Sequence, residues 1–436
     1  MTATTGSTAT DTSTTDIPTA ETGAGALLAD LGYTAADQRR LHETYRYLHA
    51  HPELSMQEHA TAGYLLGRLT ELGLETFTCG GTGVVGVLRN GDGPVVGFRA
   101  DTDGLPIGEN TGLDYASTAT GTLEDGTAVP VMHGCGHDTH MAVALATAEL
   151  LARGTDRWAG TVVFLFQPGE ETAAGARAMV ADGLWDKAPR PEVIYGQHVW
   201  PGVAGELEIS SGTAMAMADS WRITVLGRQA HGSQPEKSID PIVLGAHMIV
   251  RIQTILSREV PARDSAVITV GTFHGGLKEN IIPGSAEFTV NVRTFEPGVR
   301  EHVLGALRRI IAAEAAASGA PEPVIEEISS FPRCFNDPAA TAELIGGLRA
   351  ALGGEAVREV PPVMGSEDFG LLAEAIGVPS VYWMFGSSSR ERLDAGEQVA
   401  GNHSPEFAPE LEPTLGTGLA AALSALRTRL AAGAQA

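Results

Sequence analysis

The densest chemistry in the chain falls within eight positions, His133-Gly-Cys135-Gly-His137-Asp138-Thr-His140. Cysteine thiolate and neutral imidazole suit borderline-soft divalent ions such as zinc. The interleaved glycines let the backbone turn closely around an ion. A lone histidine here would read as a satisfied helix start with Asp138 as its cap. Three histidines, a cysteine and an aspartate together point to a metal site. Not all five can bind at once, and Asp138 is read as supporting a ligand imidazole from behind. Glu170-Glu171 follows directly on the apolar run TVVFLFQ. One of two adjacent carboxylates can bind a metal while the other takes a proton from water, although two solvated loop glutamates would look the same. His198 follows a second apolar run, His403 sits in a polar loop, and Asp101 and Asp103 follow a third run. Each alone is more often structural. Together they place ligand or carboxylate types at several separate strand ends, where open α/β sheets put their sites.

The elements that must hold these residues alternate. Helices are expected at 37–49 and, after a Ser55/Glu58 capping-box pattern, through Leu65, Leu66, Leu69 and Leu72. Short buried strands are expected at 84–88, 95–98, 161–167 and 193–196, with a core helix at 141–151. This is an α/β sheet covered on both faces. From about residue 214 the order becomes β-α-β-β-α-β: strands at 220–226, 266–273, 286–294 and 324–328, helices at 239–256 and 301–317. That order matches a ferredoxin-like α+β unit. The α/β pattern then resumes with helices at 338–352 and 369–376, a strand at 380–385 and a last helix at 415–432. The expected organisation is a tail over 1–25, a discontinuous metal-binding domain over 26–213 and 328–436, and an inserted lid or dimerisation domain over 214–327.

The stretches LHAHPELSMQE, FRADTDGLPI, HGCGHDTHMA, FQPGEE, GQHVWP, GRQAHGSQP, ENIIPG, GSEDFG and GNHSPEF run in this order from about residue 41 to 407. With them the chain resembles the metal-dependent amidohydrolase family of aminoacylases, carboxypeptidases and hippurate hydrolases, in the branch where a cysteine replaces a carboxylate ligand. The resemblance implies a zinc-peptidase-like mixed sheet flanked by helices and two divalent ions, zinc, manganese, cobalt or nickel. It makes Cys135, His137, Glu171, His198 and His403 the ligands, Glu170 the general base, and Asp103 a residue that orients the site. Asp101 stands where the carboxylate-ligand branches have a metal-binding histidine. His231 matches a histidine that stabilises the tetrahedral oxyanion, often in the neighbouring subunit's site, although Gln229-Ala230 replaces a more glycine-rich spelling. Asn280 matches a position linked to the substrate's carboxylate end. Arg293 is a further candidate anion contact, with an exposed strand arginine as the alternative. Glu367 and Asp368 match a loop near the site and receive no role. Met215, Met217, Trp200 and Phe385 are candidates for an acyl pocket or for core packing.

The bulk composition fits this reading. The net charge is -24, from 29 basic and 53 acidic residues, which argues against a nucleic-acid backbone or an anionic membrane as partner. No apolar run reaches the roughly 20 residues of a membrane span. Residues 1–25 are rich in Thr, Ser, Ala and Gly and carry neither a signal peptide's basic start nor a presequence's arginines; they read as a disordered tail. Three cysteines make no disulfide framework, and a cytoplasmic setting is expected. The expected activity is amide hydrolysis of a small N-acyl amino acid by a homodimer or larger homo-oligomer. Three alternatives stand beside it: a metallocarboxypeptidase or dipeptidase, a thiol hydrolase with Cys135 activated by His137 or His198, and a non-catalytic binding protein.

Overall fold

The computed structural model describes residues 23–432. Its main sheet has nine strands. Their order is Glu75–Cys79, Gly83–Asn90, Trp158–Gln167, Val95–Asp101, Val193–Val203, Ser380–Ser388, Leu207–Ile209 and Val357–Glu359, with Ala431–Ala432 paired to Trp158–Gln167. The middle is parallel: Val95–Asp101 lies between Trp158–Gln167 and Val193–Val203, and Ser380–Ser388 continues the same direction. Strand Trp158–Gln167 shows why the sheet is central. Val162, Phe164 and Phe166 point into one core, while Val163 and Leu165 point into the other. Both faces are therefore apolar, as a doubly covered parallel sheet requires. Helices Ala35–Ala50, His59–Glu71, His137–Arg153 and Leu411–Arg427 pack on the first face; Gly175–Ala181 and the segment around Phe369 and Leu372 cover the second.

A separate four-stranded antiparallel sheet runs in the order Ala266–Gly275, Ser285–Thr294, Met217–Leu226, Val324–Phe331. Helices Pro241–Arg258 and Pro297–Ala317 cover one face and share a core with Ile223, Val225, Phe288, Val290 and Val292. The β-α-β-β-α-β order is the ferredoxin-like one. The mixed sheet flanked by helices is as expected.

Several local expectations change. Helix Gly23–Asp30 begins inside the expected tail, buries Leu28 and packs against the last helix; residues 1–22 lie outside the described residues. Ser55 and Glu58 make no capping box. Helix His59–Glu71 has Glu58 at its N-cap position without a side-chain cap, and both side chains point inward to other partners. The core helix starts at His137, not 141, because its polar first turn faces the site and breaks the apolar pattern. Strand Val193–Val203 runs past 196, so His198 lies within it. The helix expected at 369–376 shortens to Gly370–Glu374, and the last helix ends at Arg427. Among the described residues no helix is long and apolar enough to cross a membrane.

Candidate metal centre

The ligand-type residues converge beyond the C-terminal ends of the parallel strands. Strand Val95–Asp101 ends at Asp101, and Asp103 follows two residues later. Gly136 precedes helix His137–Arg153 with φ 84, and a Cβ there would stand 2.3 Å from Val199 Cγ1. Only glycine fits both the left-handed turn and the close approach. The turn swings Cys135 away from the helix and lets His137 and His140 share its first-turn face. Glu170-Glu171 occupies a turn closed on Gly169, whose carbonyl accepts from the N–H groups of Ala174 and Gly175, each at 3.1 Å. His198 is opposite Met384 in the strand register. His403 adopts φ 67, and its N–H donates to the Gly134 carbonyl at 2.7 Å. The Asn402 amide donates to the carbonyls of Cys135 at 3.0 Å and Val199 at 3.2 Å, pinning this loop to the site.

The donor atoms fall into overlapping groups. Those of Cys135, Glu171 and His403 lie within 4.8 Å of one another, as do those of His137, Glu170 and Glu171. Cys135 Sγ is 3.4 Å from His198 Nε2, and His403 Nε2 is 3.3 Å from Glu171 Oε1. His137 Nε2 lies 3.9 Å from Glu171 Oε1 and 3.6 Å from Asp101 Oδ2. Both His137 Nε2 and Glu171 Oε1 are buried without a hydrogen-bond partner, which is costly unless something else occupies them. The tautomers fit a cation. His137 Nδ1 donates to the Asp103 carbonyl at 2.9 Å and His198 Nδ1 to the Val199 carbonyl at 2.7 Å. Each turns its Nε2 toward the other donors, where a bound ion would take the place of any proton. The set of thiol, imidazoles and carboxylates, with orphaned atoms among them, fits divalent metal ions.

Charges agree. Burial pushes the Cys135 thiol up, with Glu171 and Glu170 adding to it. Burial opposes charge on His137, but Asp101, Asp103 and Glu171 prevail and push it up to about 10, so an ion bound there would displace a proton. Burial, then His140, pushes His198 down. Burial also pushes Glu170 up, followed by the charges of Glu367, Glu171, Asp368 and Asp103. A divalent ion would relieve this excess of acid and favour the thiolate.

A cavity of about 380 Å³ opens onto Cys135, Glu170, Glu171, His198 and His403. Arg293 lines its wall, as do Trp200, Met215, Met384 and Phe331. Arg293 is half-buried, donates to the Met364 carbonyl at 2.6 Å, and forms no ion pair among the described residues. A larger cleft of about 810 Å³ holds Arg177, Arg300 and Arg333 but none of the ligand-type residues. The smaller cavity is therefore the chemical one.

Of the expected site residues, Cys135, His137, Glu170, Glu171, His198, His403, Asp103 and Arg293 come together. Asp138 does not support a ligand imidazole: it faces His49 Nδ1 at 2.7 Å and accepts from the Thr139 N–H at 2.9 Å. His231 and Asn280 lie outside the cavity. His231 is exposed, pairs with Ile281, and accepts hydrogen bonds from Ser233. Met217 lines the larger cleft, and Phe385 is fully buried against the His140 ring. His140, which the motif placed beside the ligands, is a strut. Its Nε2 accepts from the Val199 N–H at 2.8 Å and its Nδ1 meets Asp101. Arg99 had no signal except its place in FRADTD; it is fully buried and bridges Asp101, Glu367 and Asp368. Glu367 lines the cavity, a position that the acidic pair in GSEDFG hinted at without a role.

Residues 97–430 match the model of peptidase family M20/M25/M40. The chain belongs to that family and is a hydrolase. Thermostable carboxypeptidase 1 of Saccharolobus solfataricus is 32% identical over 88% of this chain and 93% of its own length. Hippurate hydrolase of Campylobacter jejuni is 36% identical over 75% of this chain and 83% of its own. The crystal structure of a dinuclear metal-binding peptidase of the M20 family from Bacillus subtilis superimposes with a TM-score of 0.71 at 30% identity, covering 90% of this chain and 99% of that one.

Proposed function

We propose that this chain hydrolyses the amide bond of small N-acyl amino acids, with Cys135, His137, Glu171, His198 and His403 holding two divalent ions and Glu170 acting as general base. The carrying observation is one cavity in which the Glu170 carboxyl stands beside the ligand set, with Arg293, which has no carboxylate partner among the described residues, and an apolar wall around them. When bound, the ions supply Lewis acidity that polarises the amide carbonyl and eases ionisation of water. Burial and the neighbouring carboxylates raise the proton affinity of Glu170, which favours its taking a proton from water. Glu170 takes a proton as the water oxygen attacks the amide carbon. It then delivers that proton to the nitrogen as the C–N bond breaks, and the second water proton, left on the new carboxylic acid, passes to the amine, so that a carboxylate and an ammonium leave. Arg293 meets the substrate carboxylate as a charge-assisted donor, and Trp200, Met215, Met384 and Phe331 accept the acyl group.

His231 and Asn280 are proposed to join from a second copy, His231 donating to the carbonyl oxygen and Asn280 to the carboxylate end. Both sit on the smaller sheet's unit, which also exposes Val243, Val250, Val267 and Ile281, and this supports a homodimer through that unit. A carboxypeptidase or dipeptidase is the second reading, since Arg293 would receive a peptide's terminal carboxylate equally well and a relative carries that name. The thiol mechanism is disfavoured because it leaves the Glu171–His403 contact at 3.3 Å without a purpose.

The test is amino-acid release from benzoyl-glycine, acetyl-methionine, indoleacetyl-alanine and a dipeptide, with metal-stripped enzyme and after return of zinc, manganese, cobalt or nickel. Release that vanishes on stripping and returns with metal is expected. Release indifferent to stripping would restore Cys135 as nucleophile. Glu170→Gln should retain its metal and lose on the order of 100-fold or more in turnover.

A further inference from the structure

The loop 52–58 supplies no proposed ligand, yet two of its side chains bond to residues that hold the ligands, Asp103 and Gly169. Ser55 Oγ donates to Asp103 Oδ2 at 2.6 Å. The same Asp103 oxygen accepts the Glu171 N–H at 3.0 Å, while the Asp103 carbonyl holds His137 Nδ1. Glu58 is fully buried although its place at a helix start would suit a solvated residue. Its Oε1 accepts from the Gly169 N–H at 2.8 Å and from the Met56 N–H at 2.9 Å, and its Oε2 accepts from the Thr82 hydroxyl. Gly169 is the pivot of the Glu170-Glu171 turn: its N–H goes to Glu58 and its carbonyl closes the turn. Met56 is held at φ 62, and its thioether packs so closely on Gly169 that a Cβ there would lie 2.5 Å from its sulfur. A left-handed non-glycine residue is uncommon and costs free energy. Here the surrounding contacts hold it in place.

We propose that Ser55 and Glu58 form a clamp that positions both halves of the centre, Ser55 through Asp103 and Glu58 through the Gly169 pivot. The role rests on the ligand set proposed above. Neither residue touches substrate; both are positioning residues. The clamp works through hydrogen bonds and does not need the Glu58 charge. A glutamine carbonyl can accept both backbone N–H groups, and its amide can donate to the Thr82 hydroxyl, which accepts as readily as it donates. Alanine leaves the buried Gly169 donor, and the half-buried Met56 donor, without this partner.

The experiment compares metal-loaded wild type, Glu58→Gln, Glu58→Ala and Ser55→Ala. It reads kcat and KM for amino-acid release, the chelator concentration that removes half of the bound zinc, and circular dichroism for folding. Glu58→Ala should lose about 10- to 100-fold in kcat, as small misplacements of reacting groups do, with little change in KM, and should surrender zinc to less chelator. Glu58→Gln should match wild type on both readouts. A folded Glu58→Ala that behaves as wild type overturns the proposal, and so does a Glu58→Gln as impaired as Glu58→Ala. Should Glu58→Ala not fold, Ser55→Ala decides: earlier zinc loss with an unchanged fold supports the clamp, and wild-type retention sinks it. If wild type releases no amino acid from any substrate, the functional reading fails, and the chelator arm still scores the clamp.

Discussion

Arg99 balances the charge of the centre. Its guanidinium is fully buried and meets Asp101 at 2.6 Å, Glu367 at 2.7 Å, Asp368 at 3.4 Å and the Gln167 side-chain carbonyl at 3.0 Å. Removing one partner from such a network leaves uncompensated buried charge. Arg99→Met should therefore cost about 3–5 kcal/mol in denaturant unfolding; a loss under about 1 kcal/mol would mean the carboxylates find protons or water instead. A second residue-level prediction concerns His49, buried between Asp138 and Glu109 with Tyr45, Tyr115 and His133 around it. Burial opposes its charge, but hydrogen bonds to Asp138 and Glu109 prevail and push it up from 6.5 to about 9. A raised histidine contributes stability that is complete below its unfolded value and is lost as pH rises through its folded one. Metal-free protein should thus lose the His49 contribution between pH 6.5 and about 9, on top of a loss from His137 that runs on to about 10, and His49→Gln should make the slope shallower over the first window in denaturant titrations at stepped pH.

Helix ends separate functional from structural geometry. Gly136, with φ 84 and no room for a Cβ beside Val199, starts the helix carrying His137. Gly136→Ala should destabilise by more than the ~1–2 kcal/mol of a left-handed alanine and displace Cys135 and His137, so that zinc is lost to a weaker chelator challenge. Asp240 offers the contrast. Its side chain accepts from the N–H groups of Ile242 and Val243 at the start of helix Pro241–Arg258. Asp240→Ala should cost about 1 kcal/mol with zinc retention unchanged. Equal loss of zinc in both variants would show that global stability, not the local turn, governs retention.

Across the whole molecule, the proposed ligands span residues 135 to 403 and meet only when the sheet is assembled. An ion that binds the native state alone adds about 4 kcal/mol at a thousandfold excess over its Kd. Stripping should lower the thermal midpoint, and returned metal should restore it; an unchanged midpoint would argue that the ions contribute nothing to the fold. The exposed position of His231 makes a further prediction for the proposed dimer. Glu170→Gln and His231→Ala, each inactive alone, should recover about a quarter of wild-type activity when mixed and reassembled, because each mixed dimer then holds one complete site. No recovery from subunits shown to exchange would assign His231 to its own chain's site.

Much of this was legible in one dimension. HGCGHD, GEE and the histidines at 198 and 403 carry ligand chemistry in their residue types, and side-chain periodicity marks the strands that hold them. The apolar run 161–167 could be read as a buried strand without any partner being known; its central place in the sheet came with the fold. What stayed hidden depends on long-range contact. Asp138 is chemically fit to hold a ligand imidazole, yet it turns to His49, a partner 89 residues away. Ser55 and Glu58 have the spacing of a helix cap, but their side chains find Asp103 and Gly169 instead, because burial against the glutamate turn outweighs a local cap. Arg99 reads as an ordinary strand residue until the fold brings Glu367 and Asp368 from 268 and 269 residues away. Residue chemistry and local periodicity are properties of the chain itself; which charges meet, which lone pairs are left facing one another, and which loop holds them are decided only when distant segments pack.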